Sequence, residues 1–265
     1  EENLFQRAII KSGSYAQEQV PLAAAQFGGT QVEAAARALD GAPEACAEGQ
    51  PAADCLRALS TEQVLAVQDG QAIPTSGGSF LPRSIGAALR SGQIDTSLDI
   101  LIGSNQDEGT LFVALDELGN NFVSIEAMGM SEFDDRVEEF FQPYLSAGIA
   151  YDVDQIKADY LADFAGNPSQ LSLALSAIWT DFMFACTSAM QAGTFAGLDM
   201  NTYKYWFRDT DAPWTLVPPV VPVPDVGNFS VSFPLGATHA GEIPYVLYPE
   251  DVMQDRYTGN VEQLD

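Results

Sequence analysis

Leu98-Asp99-Ile100-Leu101-Ile102-Gly103, followed at once by Ser104-Asn105-Gln106-Asp107-Glu108-Gly109, is the passage on which the fold turns. A short apolar run closed by a polar, glycine-bounded turn is the pattern of a buried strand. In α/β proteins, the turn at the carboxyl end of a parallel strand is where chemistry sits. Two further stretches read as strands. Arg7-Ala8-Ile9-Ile10-Lys11 is an apolar run that leaves through Ser12-Gly13-Ser14, which predicts a second buried strand. Thr202-Tyr203-Lys204-Tyr205-Trp206-Phe207-Arg208 alternates and is rich in aromatic residues, which predicts a third.

The stretches between the strands are helical in pattern. Residues 30–39 begin at a capping-type Thr30 with Glu33 three residues on, and Ser60-Thr61-Glu62-Gln63 before Val64 repeats that signature. Residues 84–92 start at Ser84 and close on Gly92 after the basic Arg90. From about Ser131 to Ala196 the periodicity is mostly helical, with Glu132, Asp134, Asp135, Glu138 and Glu139 on a solvated face. Strands separated by long helical segments predict an α/β fold, a mostly parallel sheet with crossover helices. No internal repeat appears, and the proline-rich loop Pro213 to Pro224 is too short to mark a boundary, so residues 1–265 read as one domain.

Composition narrows the function. Of 265 residues, 46% are hydrophobic, enough for a substantial core. Eleven Lys+Arg against 37 Asp+Glu give a net charge of −26, which repels nucleic acid and anionic membranes. The charge suits solubility or salt tolerance in an extracellular setting better than an acidic binding surface. Glu1 to Gln6 carry neither a basic nor an apolar leader region, and no stretch offers roughly 20 uninterrupted apolar residues, so the chain reads as soluble with no membrane span. Cys46 and Cys55 flank a short polar loop; they are either a disulfide of an oxidising compartment or two thiols of a cytosolic protein. Cys186, in Phe182-Met183-Phe184-Ala185-Cys186, reads as a buried thiol rather than a ligand. With a single histidine, a zinc site is not expected.

That histidine, His239, stands in the small-residue stretch Gly236-Ala237-Thr238-His239-Ala240-Gly241-Glu242-Ile243-Pro244-Tyr245, which leaves its ring accessible. A histidine general base needs an acceptor to fix its tautomer and to stabilise the imidazolium it becomes. Glu108 is a candidate for that acceptor. On composition alone, a satisfied structural histidine and an exposed loop carboxylate are the simpler assignments.

In matching order along most of its length, the chain resembles the type-B carboxylesterase and cholinesterase family. Leu4 through Ser14 resembles the strand that follows the nucleophile region, and Cys46 through Arg57 resembles a disulfide-closed loop, followed by the turn Gly78-Ser79-Phe80-Leu81-Pro82. Leu101 through Gly109 is similar to the segment that carries the acidic triad member. Thr180-Asp181-Phe182-Met183-Phe184 resembles a helix near the active-site gorge, and the His239 loop is similar down to Gly241-Glu242-Ile243. The resemblance implies a partial α/β-hydrolase fold with an inserted helical region. It also implies a Cys46–Cys55 disulfide, Glu108 as triad acid, His239 as base and Ser12 as a support behind the acid. The implied reaction is ester hydrolysis with no metal or organic cofactor, on a small-molecule ester, in a secreted or periplasmic protein.

One departure is large. The family nucleophile sits in Gly-x-Ser-x-Gly, and no such pentad occurs: Gly77-Gly78-Ser79 ends in Leu81 and Gly129-Met130-Ser131 in Phe133. The resemblance puts the nucleophile and the oxyanion loop upstream of Glu1, in a missing N-terminal half, and continues beyond Asp265. The chain alone is therefore expected to be inactive. A non-catalytic adhesion or recognition domain of cholinesterase type is the alternative, and retention of both Glu108 and His239 argues against it. An unrelated acidic binding module would account for the charge and for none of the ordered segments.

Overall fold

A computed structural model describes residues 4–13, 19–68, 74–120, 128–146, 148–212, 220–223 and 227–247. The described strands are β1 (Arg7–Lys11), β2 (Val20–Pro21), β3 (Thr75–Ser76), β4 (Asp99–Asn105), β5 (Thr202–Phe207), β6 (Val220–Val223) and β7 (Gly227–Ser230). The described helices are α1 (Leu22–Arg37), α2 (Ala52–Ala58), α3 (Thr61–Val67), α4 (Ile85–Arg90), α5 (Gly109–Asn120), α6 (Met130–Ser146), α7 (Val153–Asp163), α8 (Gln170–Trp179), α9 (Cys186–Gly197) and α10 (Ile243–Leu247). The chain divides into two compact units, Tyr15–Ile94 and the pair of segments Glu1–Ser14 and Asp95–Asp265.

In the smaller unit the expected caps hold at two helices and fail at one. Ser60 accepts from the Gln63 N–H while the Gln63 side chain accepts from the Ser60 N–H, a full capping box for α3. Ser84 caps α4 through Ala87 N, and Gly92 follows its end at φ +66. Thr30, however, does not start a helix. The alanine-rich turn after Pro21 has enough propensity to begin α1 at Leu22, and inside it the Thr30 hydroxyl donates to Phe27 O at 2.7 Å.

Cys46 and Cys55 form a disulfide. They are buried with Ala36 and Val67 in a small apolar cluster. Arg37, in the last turn of α1, donates to the carbonyls of Cys46, Ala47 and Gln50 at 2.7–2.9 Å, which pins the bridged loop to the helix end. A cluster this small leans on its cross-link. Changing both cysteines to alanine is expected to cost about 2–3 kcal/mol, read as a lower urea midpoint for this unit.

The larger unit holds the parallel sheet, in order β1-β4-β5. The strand predicted at residues 98–103 is its centre. Successive side chains alternate between faces, so Ile100 and Ile102 share one. They are 3% and 0% exposed, and α9 packs against β4 and β5. Register aligns Ile9, Leu101 and Tyr203 as a row on the opposite face, where Ile9 is 62% and Tyr203 66% exposed. The expectation that Arg7–Lys11 would be buried is thus corrected: β1 is an edge strand of this sheet with an open face, because an apolar pattern specifies which side wants cover and not whether cover is present.

Helices supply the rest of the core. Phe133, Val137 and Phe141, spaced four apart on α6, are fully buried against Leu111, Val113 and Ala114 of α5 and Ala174, Leu175 and Ile178 of α8. The acidic residues of α6 face outward as expected, and Arg136 and Lys157 pair with Asp116 and Asp134.

From Gln170 to Gly197 the helix is continuous, with a π-helical stretch over Thr180–Ala185 joining α8 to α9. These 28 residues are long and apolar enough to cross a membrane by length and composition, although Asp181 interrupts the apolar run. Ser172, Ser176, Ser188 and Gln191 are buried on it beside the apolar core, the pattern of an interior helix. The π stretch also corrects Cys186. An unbroken α-helix would put residue 186 on the stripe of Leu175 and Ile178; the extra residue in a π turn rotates the downstream turns by roughly 100°. Cys186 is exposed.

The proline-rich loop is corrected in part as well. Val220–Val223 forms a strand paired antiparallel with Gly227–Ser230, because only one of its four residues lacks an N–H to donate. Residues 213–219 and 224 lie outside the described residues.

Candidate functional site

Three elements converge at the carboxyl ends of β1 and β4. Glu108 closes the turn after β4, Ser12 follows β1, and His239 lies in the segment between β7 and α10. Glu108 is fully buried, which removes the exposed-loop alternative. One of its oxygens, Oε2, lies 2.6 Å from Nδ1 of His239. The other, Oε1, accepts from the Asn105 backbone N–H at 2.6 Å and from the Ser12 hydroxyl. A carboxylate with both oxygens engaged is held in one orientation. His239 keeps 31% of its side chain exposed, which leaves the ring open to solvent while Nδ1 is occupied.

Ser12 is placed by the ladder itself. Its N–H donates to Gly103 O at 2.9 Å, one step beyond the β1–β4 pairing, and its φ of +52 turns the chain out of the sheet. That left-handed conformation costs a serine about 1 kcal/mol, offset by the two bonds it makes there.

The His239 segment is clipped to the Glu108 turn from several sides. Asp107 N donates to Ala237 O at 3.0 Å and Ala237 N to Asp107 Oδ2 at 2.9 Å. Gly236, at φ +61, makes this possible, since a Cβ there would fall within 3.0 Å of that carboxylate. Burial pushes the Asp107 carboxyl up, opposed by the bonds from Ala237 and Gln106. Thr110 Oγ1 is 2.7 Å from Leu235 O and 2.8 Å from Thr238 Oγ1.

Aromatic rings border the histidine. The Phe112 and Phe184 centroids are each 5.2 Å from the His239 ring and 5.8 Å from each other. Thr180, at the head of the π stretch that carries Phe184, accepts from Gly109 N at 2.9 Å. The stretch Thr180–Phe184 singled out in the sequence is therefore adjacent to both Glu108 and His239.

Glu108, His239 and Ser12 are thus brought into one hydrogen-bonded chain, with Cys46 and Cys55 in the other unit. Among the described residues no group of three or more His, Cys, Asp or Glu side chains has the arrangement to hold a metal ion. The sequence reading missed Asn105, Asp107, Thr110, Thr238 and Glu242, all buried or partly buried partners of this chain of bonds. All five belong to the polar stretches around Glu108 and His239. Nothing in a polar run marks which of its members turns inward.

The arrangement supplies a fixed imidazole, one nitrogen anchored on a buried carboxylate and the ring partly open, which is chemically able to accept a proton at its other nitrogen. A cholinesterase of Mus musculus is similar, 26% identical over 160 residues that make up 59% of this chain and 25% of that protein. The chain thus spans about a quarter of the length of the curated relative it matches. The parallel sheet with its helices is the corresponding part of an α/β-hydrolase fold, and, with a match over residues 1–264, the chain belongs to the carboxylesterase family.

Proposed function

We propose that the protein to which these residues belong hydrolyses carboxylic esters through an acyl-enzyme, with Glu108 and His239 as acid and base of a serine triad. The supporting observation is the 2.6 Å contact between His239 Nδ1 and Glu108 Oε2. Anchoring Nδ1 as a donor leaves Nε2 as the acceptor. In this reading a serine outside this chain bonds through Oγ to the substrate carbonyl carbon as Nε2 takes its proton. Nε2 then gives that proton to the departing alkoxide oxygen, and water, deprotonated by the same nitrogen, releases the acid. The carboxylate of Glu108 stabilises the imidazolium in both halves. Ser12 holds the carboxylate from behind, and no metal or organic cofactor takes part.

The open sheet face at Ile9 and Tyr203 supports a partner in the remaining N-terminal half of the same protein, completing a single α/β-hydrolase domain. The Cys46–Cys55 disulfide supports a secreted or periplasmic location.

Hydrolysis of p-nitrophenyl butyrate is the test. The longer protein is expected to turn it over and the 265-residue chain alone is not, because nucleophile and oxyanion donors carry most of the rate. Turnover by the isolated chain would overturn the assignment of the nucleophile to another segment. Its absence in the longer protein would favour a recognition domain.

A further inference from the structure

A second set of buried charges lies against the Glu108–His239 pair and has no part in the acyl-enzyme reaction. Glu242 is 6% exposed, three residues beyond His239. Its Oε1 is 3.5 Å from Nζ of Lys11, and its Oε2 accepts from Nδ2 of Asn105 at 2.6 Å. The same Asn105 nitrogen donates its other hydrogen to Thr238 O at 2.7 Å, on the peptide that enters His239. Both neighbours are acceptors, so the nitrogen and not the oxygen of the amide must face them. Asn105 Oδ1 is left buried with no hydrogen-bond partner among the described residues. Meanwhile the backbone N–H of Asn105 donates to Glu108 Oε1.

One fully buried residue therefore touches the acid through its main chain and the base-carrying segment, at 238 and 242, through its side chain. Two buried carboxylates so placed repel each other. A neutral amide between them and an ammonium on the far one relieve that repulsion. Burial and the charges of Glu242 and Glu108 also push the Tyr205 phenol up.

We propose that Asn105 is a positioning residue that sets His239 in register with Glu108, and that the Lys11–Glu242 pair locks the Asn105 amide in the orientation this requires. The proposal rests on the acid–base reading of Glu108 and His239, yet its test needs no substrate. Because His239 is the single histidine of the chain, its ring resonances in a 15N-labelled sample report on this site alone. The Nδ1 proton bonded to Glu108 is expected as a strongly deshielded, slowly exchanging signal.

Asn105→Ala is expected to abolish that signal while the amide spectrum keeps its dispersion, and to lower kcat of the longer protein about 100-fold with KM unchanged. Lys11→Met, at a side chain 21% exposed, is expected to shift the signal and Lys11→Arg to restore it. An Asn105→Ala chain that stays folded with the Nδ1 resonance unmoved overturns the proposal. Should that variant unfold, an unmoved resonance in Lys11→Met does so instead. Failure of the longer protein to hydrolyse esters would leave the resonance result standing, so the two readings fail separately.

Discussion

Replacing Glu108 by Gln in the longer protein is expected to lower kcat about 10,000-fold, equivalent to about 5 kcal/mol of lost transition-state stabilisation. The substitution keeps the shape and changes the proton. Oε1 accepts from Asn105 N–H and the Ser12 hydroxyl, so the amide oxygen of Gln would remain on that side. Its NH2 would then face His239 Nδ1, now 2.6 Å from a carboxylate oxygen. Nδ1 must become the acceptor and the proton moves to Nε2, the nitrogen that has to receive the serine proton. The negative charge that would stabilise the imidazolium is also lost. Loss of the deshielded Nδ1 signal from the variant chain, with its amide dispersion intact, checks the tautomer independently of rate. Wild-type turnover by the variant would remove Glu108 from the mechanism.

Gly109→Ala is expected to cost about 3 kcal/mol or more, the upper end of what overpacking does. A Cβ on residue 109 would fall within 3.0 Å of the Ser176 carbonyl group and of the Trp179 side chain. The obstacle is backbone of α8, which cannot rotate away as a long side chain can. Relief would require α5 to move off α8, opening the packing of Leu111 and Ala114 against Leu175 and Ile178. It would also break the Gly109 N–H bond to Thr180 Oγ1. Because residue 109 follows Glu108 directly, the acid should shift with the helix. A urea melt gives the stability change, and the His239 Nδ1 resonance reports the displacement. A variant as stable as wild type would mean that the two helices slide past each other at little cost.

The parts of the fold that were legible share a cause. Ile100, Leu101 and Ile102 make a short apolar run closed by a polar turn, and β4 forms where that pattern lies. Ser60 with Gln63, and Ser84 before Ile85, carry caps whose hydrogen bonds are local, and both formed. Thr30 carried the same signature and lost, because the alanine-rich turn upstream offered more helix than the cap could stop. Cys186 misled because a π turn changes the phase of a helix without any mark in the pattern of apolar residues.

Local sequence, then, determined the three strands of the parallel sheet, the capped helices, the acidic outer faces and the two residues with the chemistry to form an acid–base pair, since apolar patterning, capping and side-chain proton chemistry act over a few residues. Only the tertiary structure decided that residues 108 and 239, 131 positions apart, share a hydrogen bond, that Asn105 turns inward while Gln106 stays partly open, and that the Ile9 row is left uncovered. Those outcomes depend on which distant surfaces meet, and burial raises the stakes of each polar contact only after they have met.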